Sequence, residues 1–77
     1  MKKIENSECL NKDFGKFIKA AREKKDMYQS ELAQLVGIRQ SYISYIENGE
    51  RNIDLALALK LCEALNVDLS DFIATQI

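Results

Sequence analysis

Residues 29–51 read QSELAQLVGIRQSYISYIENGER, and the spacing of their apolar positions decides the fold. Leu32, Ala33 and Val36 fall on one face of a helix that starts at Gln29. Gly37 follows, a residue that takes positive φ without steric cost and so ends helices. Tyr42, Ile43, Tyr45 and Ile46 then recur at i, i+1, i+3 and i+4. Local propensity argues the other way. Tyr-Ile-Ser-Tyr-Ile is rich in strand formers, and Asn48-Gly49 is a strong hairpin signal. A strand, however, would put Ser44 on the same face as Tyr42 and Ile46. The spacing therefore predicts a helix from about Arg39 or Gln40 to Asn48, with Gly49 as its C-terminal glycine. The stretch is helix, tight turn, helix, and Ile38 is the apolar anchor of the turn.

Upstream, Asn11 is suited to cap a first helix running to about Lys25, with Asp13 favourable in its first turn. Phe14, Phe17, Ile18 and Ala21 make its inner face, and Lys12, Lys16, Lys19 and Lys24 lie mostly outside that stripe. Gly15 inside a helix costs up to ~1 kcal/mol against Ala, a cost accepted where another helix packs close or near a helix start. Asp26-Met27-Tyr28 breaks the period. Glu31 sits where the acidic member of a capping box belongs, but Tyr28 is a poor cap, so the box is half made. Downstream, Asp54 caps a fourth helix to Leu65, with Leu55, Ala58, Leu61, Cys62 and Leu65 inward, and Asn66 stands where a left-handed residue ends it. Asp68 is the preferred cap, over Ser70, of a short fifth helix holding Leu69, Phe72 and Ile73. The fold class is thus all-α, a five-helix bundle. Residues 1–10 are an N-terminal arm and residues 11–77 the domain.

A chain of 77 residues is long enough for one domain and one modest core. Hydrophobic residues at 47% and charged residues at 30% give the balance of a soluble globular domain. With no Pro and three Gly, the chain has few helix breakers and short connections. Its longest apolar run is far short of the ~20 residues of a membrane helix, and the N-terminus lacks the apolar region of a secretory signal. A cytoplasmic location is expected, with no membrane contact. Cys9 and Cys62 are too few and too far apart for a disulfide framework or a metal site. Cys62 reads as a small core residue, Cys9 as a free thiol in a polar arm. Net charge is −1, yet eight Lys/Arg stand against five Asp/Glu in residues 1–27, and three against seven in residues 28–77. One basic face beside an acidic far end is compatible with that division.

These residues carry a resemblance. Gln29-Ser30-Glu31-Leu32-Ala33, Gly37 at the turn, Ser41-Tyr42-Ile43-Ser44, Ile46-Glu47-Asn48-Gly49 and Arg51-Asn52, followed by Ala64-Leu65-Asn66-Val67-Asp68-Leu69-Ser70-Asp71-Phe72, resemble the Cro/repressor-type helix-turn-helix family. The likeness spans Phe14 to Ile73. Within the family, the SYIS and NGERNI runs are similar to restriction–modification controller proteins and to small phage-type repressors. The resemblance implies a bundle of the phage-repressor DNA-binding domain type. It implies a transcriptional regulator that binds double-stranded DNA as a homodimer on two half-sites, with the second helix of the motif in the major groove.

The resemblance also assigns roles. Arg39, Gln40, Ser41, Ser44 and Tyr45 would face the bases. Arg39 has two readings, a bridge to guanine O6 and N7 or a phosphate contact alone, and Gln40 is suited to adenine N6 and N7. Tyr45 offers a ring to a thymine methyl and a hydroxyl to a phosphate. Gln29, Tyr42, Asn48 and Arg51 would hold phosphates, with Asn52 a further candidate. Tyr42 is equally suited to pack on the preceding helix, and Glu50 opposes the phosphates. Arg22 and Glu47 occupy positions that the family pairs in a buried, structural ion pair. Surplus apolar residues, Leu57, Leu59, Phe72, Ile73 and Ile77, would form the subunit interface, the alternative being that Phe72 and Ile73 finish the monomer core. Asp26, Tyr28 and Ile53 depart from the pattern, standing where Gly, Ser or Thr, and Pro are common. No cofactor, metal or small-molecule ligand is implied. With no His, no phosphate-cradling glycine loop and no nucleophile constellation, nothing points to an enzyme. The competing reading is an interaction module of the same fold, an antirepressor or antitoxin partner with little DNA binding, which the near-neutral charge and Glu50 favour slightly.

Overall fold

Capping residues set most of the helix boundaries in the computed structural model. It describes residues 7–77, with side chains from Leu10 onward, so residues 1–6 of the expected arm and the thiol of Cys9 lie outside what is described. Five helices follow one another: α1 (Ser7–Lys24), α2 (Gln29–Val36), α3 (Gln40–Glu47), α4 (Leu55–Leu65) and α5 (Leu69–Thr75). Among the described residues there is no strand. Gly37 closes α2 at φ 83°, and its N–H donates to the Ala33 carbonyl. The Asp54 carboxylate accepts from the Leu57 N–H at 2.8 Å, and Asn66 ends α4 in the left-handed region at φ 57°. Asp68 caps α5 through the Ser70 N–H, and these hydrogen bonds hold its carboxyl below the usual carboxylate range. At α2 the Glu31 carboxylate accepts from the Tyr28 N–H at 2.7 Å, while the Tyr28 phenol caps nothing. The half-made box is therefore observed. Asp26 takes φ 54°, which explains how it replaces a glycine at that connection.

The start of α1 departs from expectation. The helix begins at Ser7 and takes in residues 7–10, which belong to the arm on sequence grounds. Leu10, one turn before Phe14, lines an apolar groove with Ile53, Leu55 and Ile73. Asn11 is no cap. Its Nδ2 donates to Oδ1 of Asn52 at 2.7 Å, tying α1 to the loop after α3.

The core is one cluster drawn from all five helices. Ile18, Leu32, Ile43, Ile46, Leu61 and Leu65 are fully enclosed, each contributing roughly 1.5–3 kcal/mol on burial. Cys62 is buried among them, as its place on the stripe requires. Phe72 is 7% exposed, its ring edge-on to Phe14 at 5.1 Å and 5.4 Å from Phe17. Phe72 thus belongs to the core rather than to the expected interface, because α5 is too short to cover the α1 aromatics without it. Leu57 is half-buried against the same cluster.

α1 crosses the end of α3 at Gly15. A Cβ there would collide with the Ile46 carbonyl oxygen and come within 2.7 Å of that of Glu47. Gly15 thus allows a close approach, and α3 is held backbone to backbone against α1. The preceding turn also packs α2 on α3, so the second helix of the motif is gripped from two sides.

Candidate nucleic-acid interface

The periodicity of α3 divides its residues. Ile43, Ile46 and Glu47 face inward. Arg39, Gln40, Ser41 and Tyr45 are exposed, and Tyr42 and Ser44 are half-buried on the flanks. Arg39 is the N-cap, with extended backbone at φ −77° and ψ 150°, and its side chain caps nothing. The first-turn N–H groups of α3 therefore point outward with the positive end of the helix dipole, beside the Arg39 guanidinium.

Behind this surface lies a connected polar network. Arg22 donates through Nε to Glu47 Oε2 at 2.7 Å and through Nη2 to Oε1 at 3.1 Å. The Arg22 Nη1 donates to the Met27 carbonyl. Both side chains are buried, and the Glu47 hydrogen bond raises the guanidinium pKa above its ordinary value. The pair is the structural one that the family resemblance implies. The network continues outward. Gln29 Nε2 donates to Glu47 Oε1 at 3.0 Å, and Gln40 Nε2 donates to Gln29 Oε1 at 3.3 Å. An unbroken series thus runs from the enclosed carboxylate to the exposed first residue of α3. Sequence reasoning treats Gln29 and Gln40 separately. The signal that links them is that each opens a helix on either side of one tight turn.

Arg51 lies over α3, its guanidinium carbon 5.5 Å from the Tyr42 ring centre and 5.1 Å from that of Tyr45. Ile38, Arg39, Ser41, Tyr42, Tyr45 and Arg51 line a shallow concavity of about 530 Å³ whose lining includes no acidic side chain. Arg39, Ser41 and Tyr45, expected at the bases, and Tyr42 and Arg51, expected at phosphates, therefore share one surface. Asn48 is exposed as the C-cap of α3, with its N–H on the Ser44 carbonyl. Asn52 is engaged with Asn11. Glu50 is exposed in the same loop.

A second surface, on α1, α4, α5 and the C-terminus, is apolar. Leu55, Leu59, Ile73 and Ile77, together with Leu10, are 48–101% exposed. The groove between α1, α4 and α5 has a volume of about 440 Å³ and is lined chiefly by Leu10, Phe14, Ile53, Leu55, Leu69 and Ile73. Leu10 and Leu55 were not among the surplus apolar positions, because Leu55 fits the inner stripe of α4 and Leu10 precedes the expected start of α1. No helix among the described residues is long and apolar enough to cross a membrane.

Comparison with known proteins agrees with this geometry. A family model described as helix-turn-helix matches residues 18–72. A protein of Archaeoglobus fulgidus described as an uncharacterized HTH-type transcriptional regulator is 41% identical over 54 residues, which are 70% of this chain and 76% of that one. The restriction-modification controller protein C.AhdI from Aeromonas hydrophila superposes with a TM-score of 0.81 at 31% identity, over 88% of this chain and 99% of that one. The controller protein C.Esp1396I, solved as a tetramer in complex with its natural 35 base-pair operator, superposes with a TM-score of 0.76 at 29% identity, over 86% and 87% of the two chains.

Proposed function

The chain belongs to the helix-turn-helix family, and from that membership and the surface of α3 we infer that it is a sequence-specific transcriptional regulator that binds double-stranded DNA through the major groove. The observation that carries this reading is the series Arg22–Glu47–Gln29–Gln40. It links the Gln40 amide, chemically suited to adenine, to the buried ion pair at the start of a helix of suitable size for the groove. Gln40 uses one amide hydrogen on Gln29. It keeps an N–H and its carbonyl oxygen, the pair that adenine N7 and N6 demand. Arg39, Ser41 and Ser44 extend the reading along the groove. Gln29 keeps a second amide hydrogen for a phosphate, and Asn48 holds the backbone after α3.

The protein acts as a homodimer on two half-sites. One short helix reads too few base pairs for high affinity, and pairing two copies multiplies it. Leu10, Leu55, Leu59, Ile73 and Ile77 supply the apolar surface for that pairing. The operator-bound tetramer of C.Esp1396I supports assembly on DNA. The likeness to C.AhdI favours a controller-type regulator among the members of the family. The activity is binding rather than catalysis, and its setting is the cytoplasm, where the DNA is.

In vitro selection from random duplexes tests the reading. It is expected to return a two-fold-related half-site motif, with affinity falling steeply as salt rises because bound phosphates release counterions. Recovery of no motif, with binding indifferent to salt and sequence, would overturn it.

A further inference from the structure

Tyr42 and Tyr45 are three residues apart on α3, so their rings stand on adjacent positions of one helix face. Arg51, beyond the end of the helix, brings its guanidinium back over both rings, 5.5 and 5.1 Å from their centres. Among the described residues Arg51 has no carboxylate partner, and the phenol of Tyr45 makes no hydrogen bond. The two tyrosines differ in their surroundings. Tyr42 is half-buried and packs against the core, whereas Tyr45 is 43% exposed. Tyr42 is thus a fixed wall, and Tyr45 is a ring whose principal neighbour is the guanidinium. Both distances are within cation–π range, and a guanidinium attracted to ring faces in this way keeps its N–H groups free to donate in pairs. That attraction also removes rotamer freedom that a free arginine would lose on binding.

We propose that Tyr45 is a positioning residue for Arg51. Instead of reading a base through its own hydroxyl, it holds the guanidinium in place with Tyr42, so that the N–H groups of Arg51 meet a paired acceptor on the DNA. That acceptor is either two phosphate oxygens or the O6 and N7 of a guanine. The inference rests on the DNA-binding reading above and changes the role expected of Tyr45 within it.

Two variants separate ring from hydroxyl: Tyr45→Phe keeps the ring, and Tyr45→Leu keeps only apolar bulk. In the free protein, the Arg51 side-chain proton resonances are expected upfield in the wild type and in Tyr45→Phe, and shifted back in Tyr45→Leu. On a selected duplex, Tyr45→Phe is expected to bind within about twofold of wild type and Tyr45→Leu about fivefold more weakly. In an Arg51→Met background the Tyr45→Leu effect is expected to vanish. Weakening uniform across sequences identifies the phosphate, and lost preference at one G·C pair identifies guanine. Tyr45→Phe losing as much as Tyr45→Leu, or a Tyr45→Leu effect that survives Arg51→Met, would overturn the proposal. So would Arg51 resonances indifferent to Tyr45→Leu, a result that needs no DNA. A wild-type protein that binds no duplex while the resonances behave as expected would instead overturn the DNA-binding reading on which the proposal rests.

Discussion

Arg22 and Glu47 meet in a two-pronged ion pair across 25 residues of sequence, at 2.7 and 3.1 Å, inside the joint between α1 and α3. Each is the other's main compensation for burial, so removing one strands the other. Arg22→Ala or Glu47→Ala is expected to cost ~3–5 kcal/mol. A double replacement by well-packed apolar residues is expected to cost less than the two single losses added together. Urea denaturation measures all three, and losses under about 1 kcal/mol for both single variants would refute a structural role for the pair.

Gln29 touches Glu47 on one side and Gln40 on the other. Gln29→Ala is expected to reduce DNA affinity about tenfold, one neutral hydrogen bond's worth. It should also broaden the base preference at the position that Gln40 reads. Repeating the duplex selection with the variant checks this, and an unchanged motif would show that Gln40 is oriented without Gln29.

Gly15→Ala places a methyl group against the Ile46 and Glu47 carbonyls. Overpacking of this kind costs ~1–3 kcal/mol or more, and the backbone on both sides leaves nothing flexible to yield. Gly37→Ala meets no neighbour within 4 Å and carries only the left-handed backbone cost, ~1–2 kcal/mol. Thermal unfolding of the two variants is expected to separate a packing penalty from a conformational one. A harmless Gly15→Ala would mean that α1 and α3 can move apart.

Ile73 is half exposed, so a charge there leaves the core intact. Ile73→Glu is expected to keep the melting behaviour of the monomer at low concentration. It should weaken self-association at least tenfold by burying an unpaired carboxylate in the interface. Loss of paired half-site binding should then lower operator affinity by ~10²-fold. Sedimentation and binding isotherms on one sample decide the matter. Unchanged values for both would place the interface elsewhere.

Burial raises the Cys62 thiol pKa above its ordinary 9.0. The folded state then holds the proton more tightly than the unfolded state. Stability should be independent of this group below about pH 9. Above it, the unfolded chain ionises first and stability falls, at up to ~1.4 kcal/mol per pH unit until the buried thiol titrates too. Cys62→Ala should flatten that part of the curve. The same burial should keep the thiol inert to alkylation at pH 8 until the chain unfolds.

The helices were legible in the sequence wherever a local signal marks them. Asp54 and Asn66 bracket α4 by side-chain chemistry alone, and Gly37 does the same for the end of α2. The Tyr42–Asn48 segment was legible only through spacing, against its β propensity. α1 begins at Ser7, a turn before Asn11, and Leu10 on that added turn lines a groove with residues of α4 and α5 that are distant in sequence. At the candidate site, exposure of Arg39, Gln40 and Ser41 follows from helical period. The Gln29–Gln40 link and the placement of Arg51 over the rings of Tyr42 and Tyr45 do not. Both depend on how the chain turns after a helix ends, which no short window contains.

The series from Arg22 to Gln40 bears on how this surface can be altered. Gln40 is tied in at the start of its helix, because its amide donates to an oxygen of Gln29, which in turn donates a hydrogen bond to Glu47. Replacing Gln40 alone, to aim the protein at a new base pair, would leave a mismatched oxygen next to a carboxylate that the core depends on. Retargeting is therefore expected to work best when residues 29 and 40 are exchanged together. The set of sequences this scaffold can be taught to read is bounded by which pairs of side chains can still hand a hydrogen bond inward.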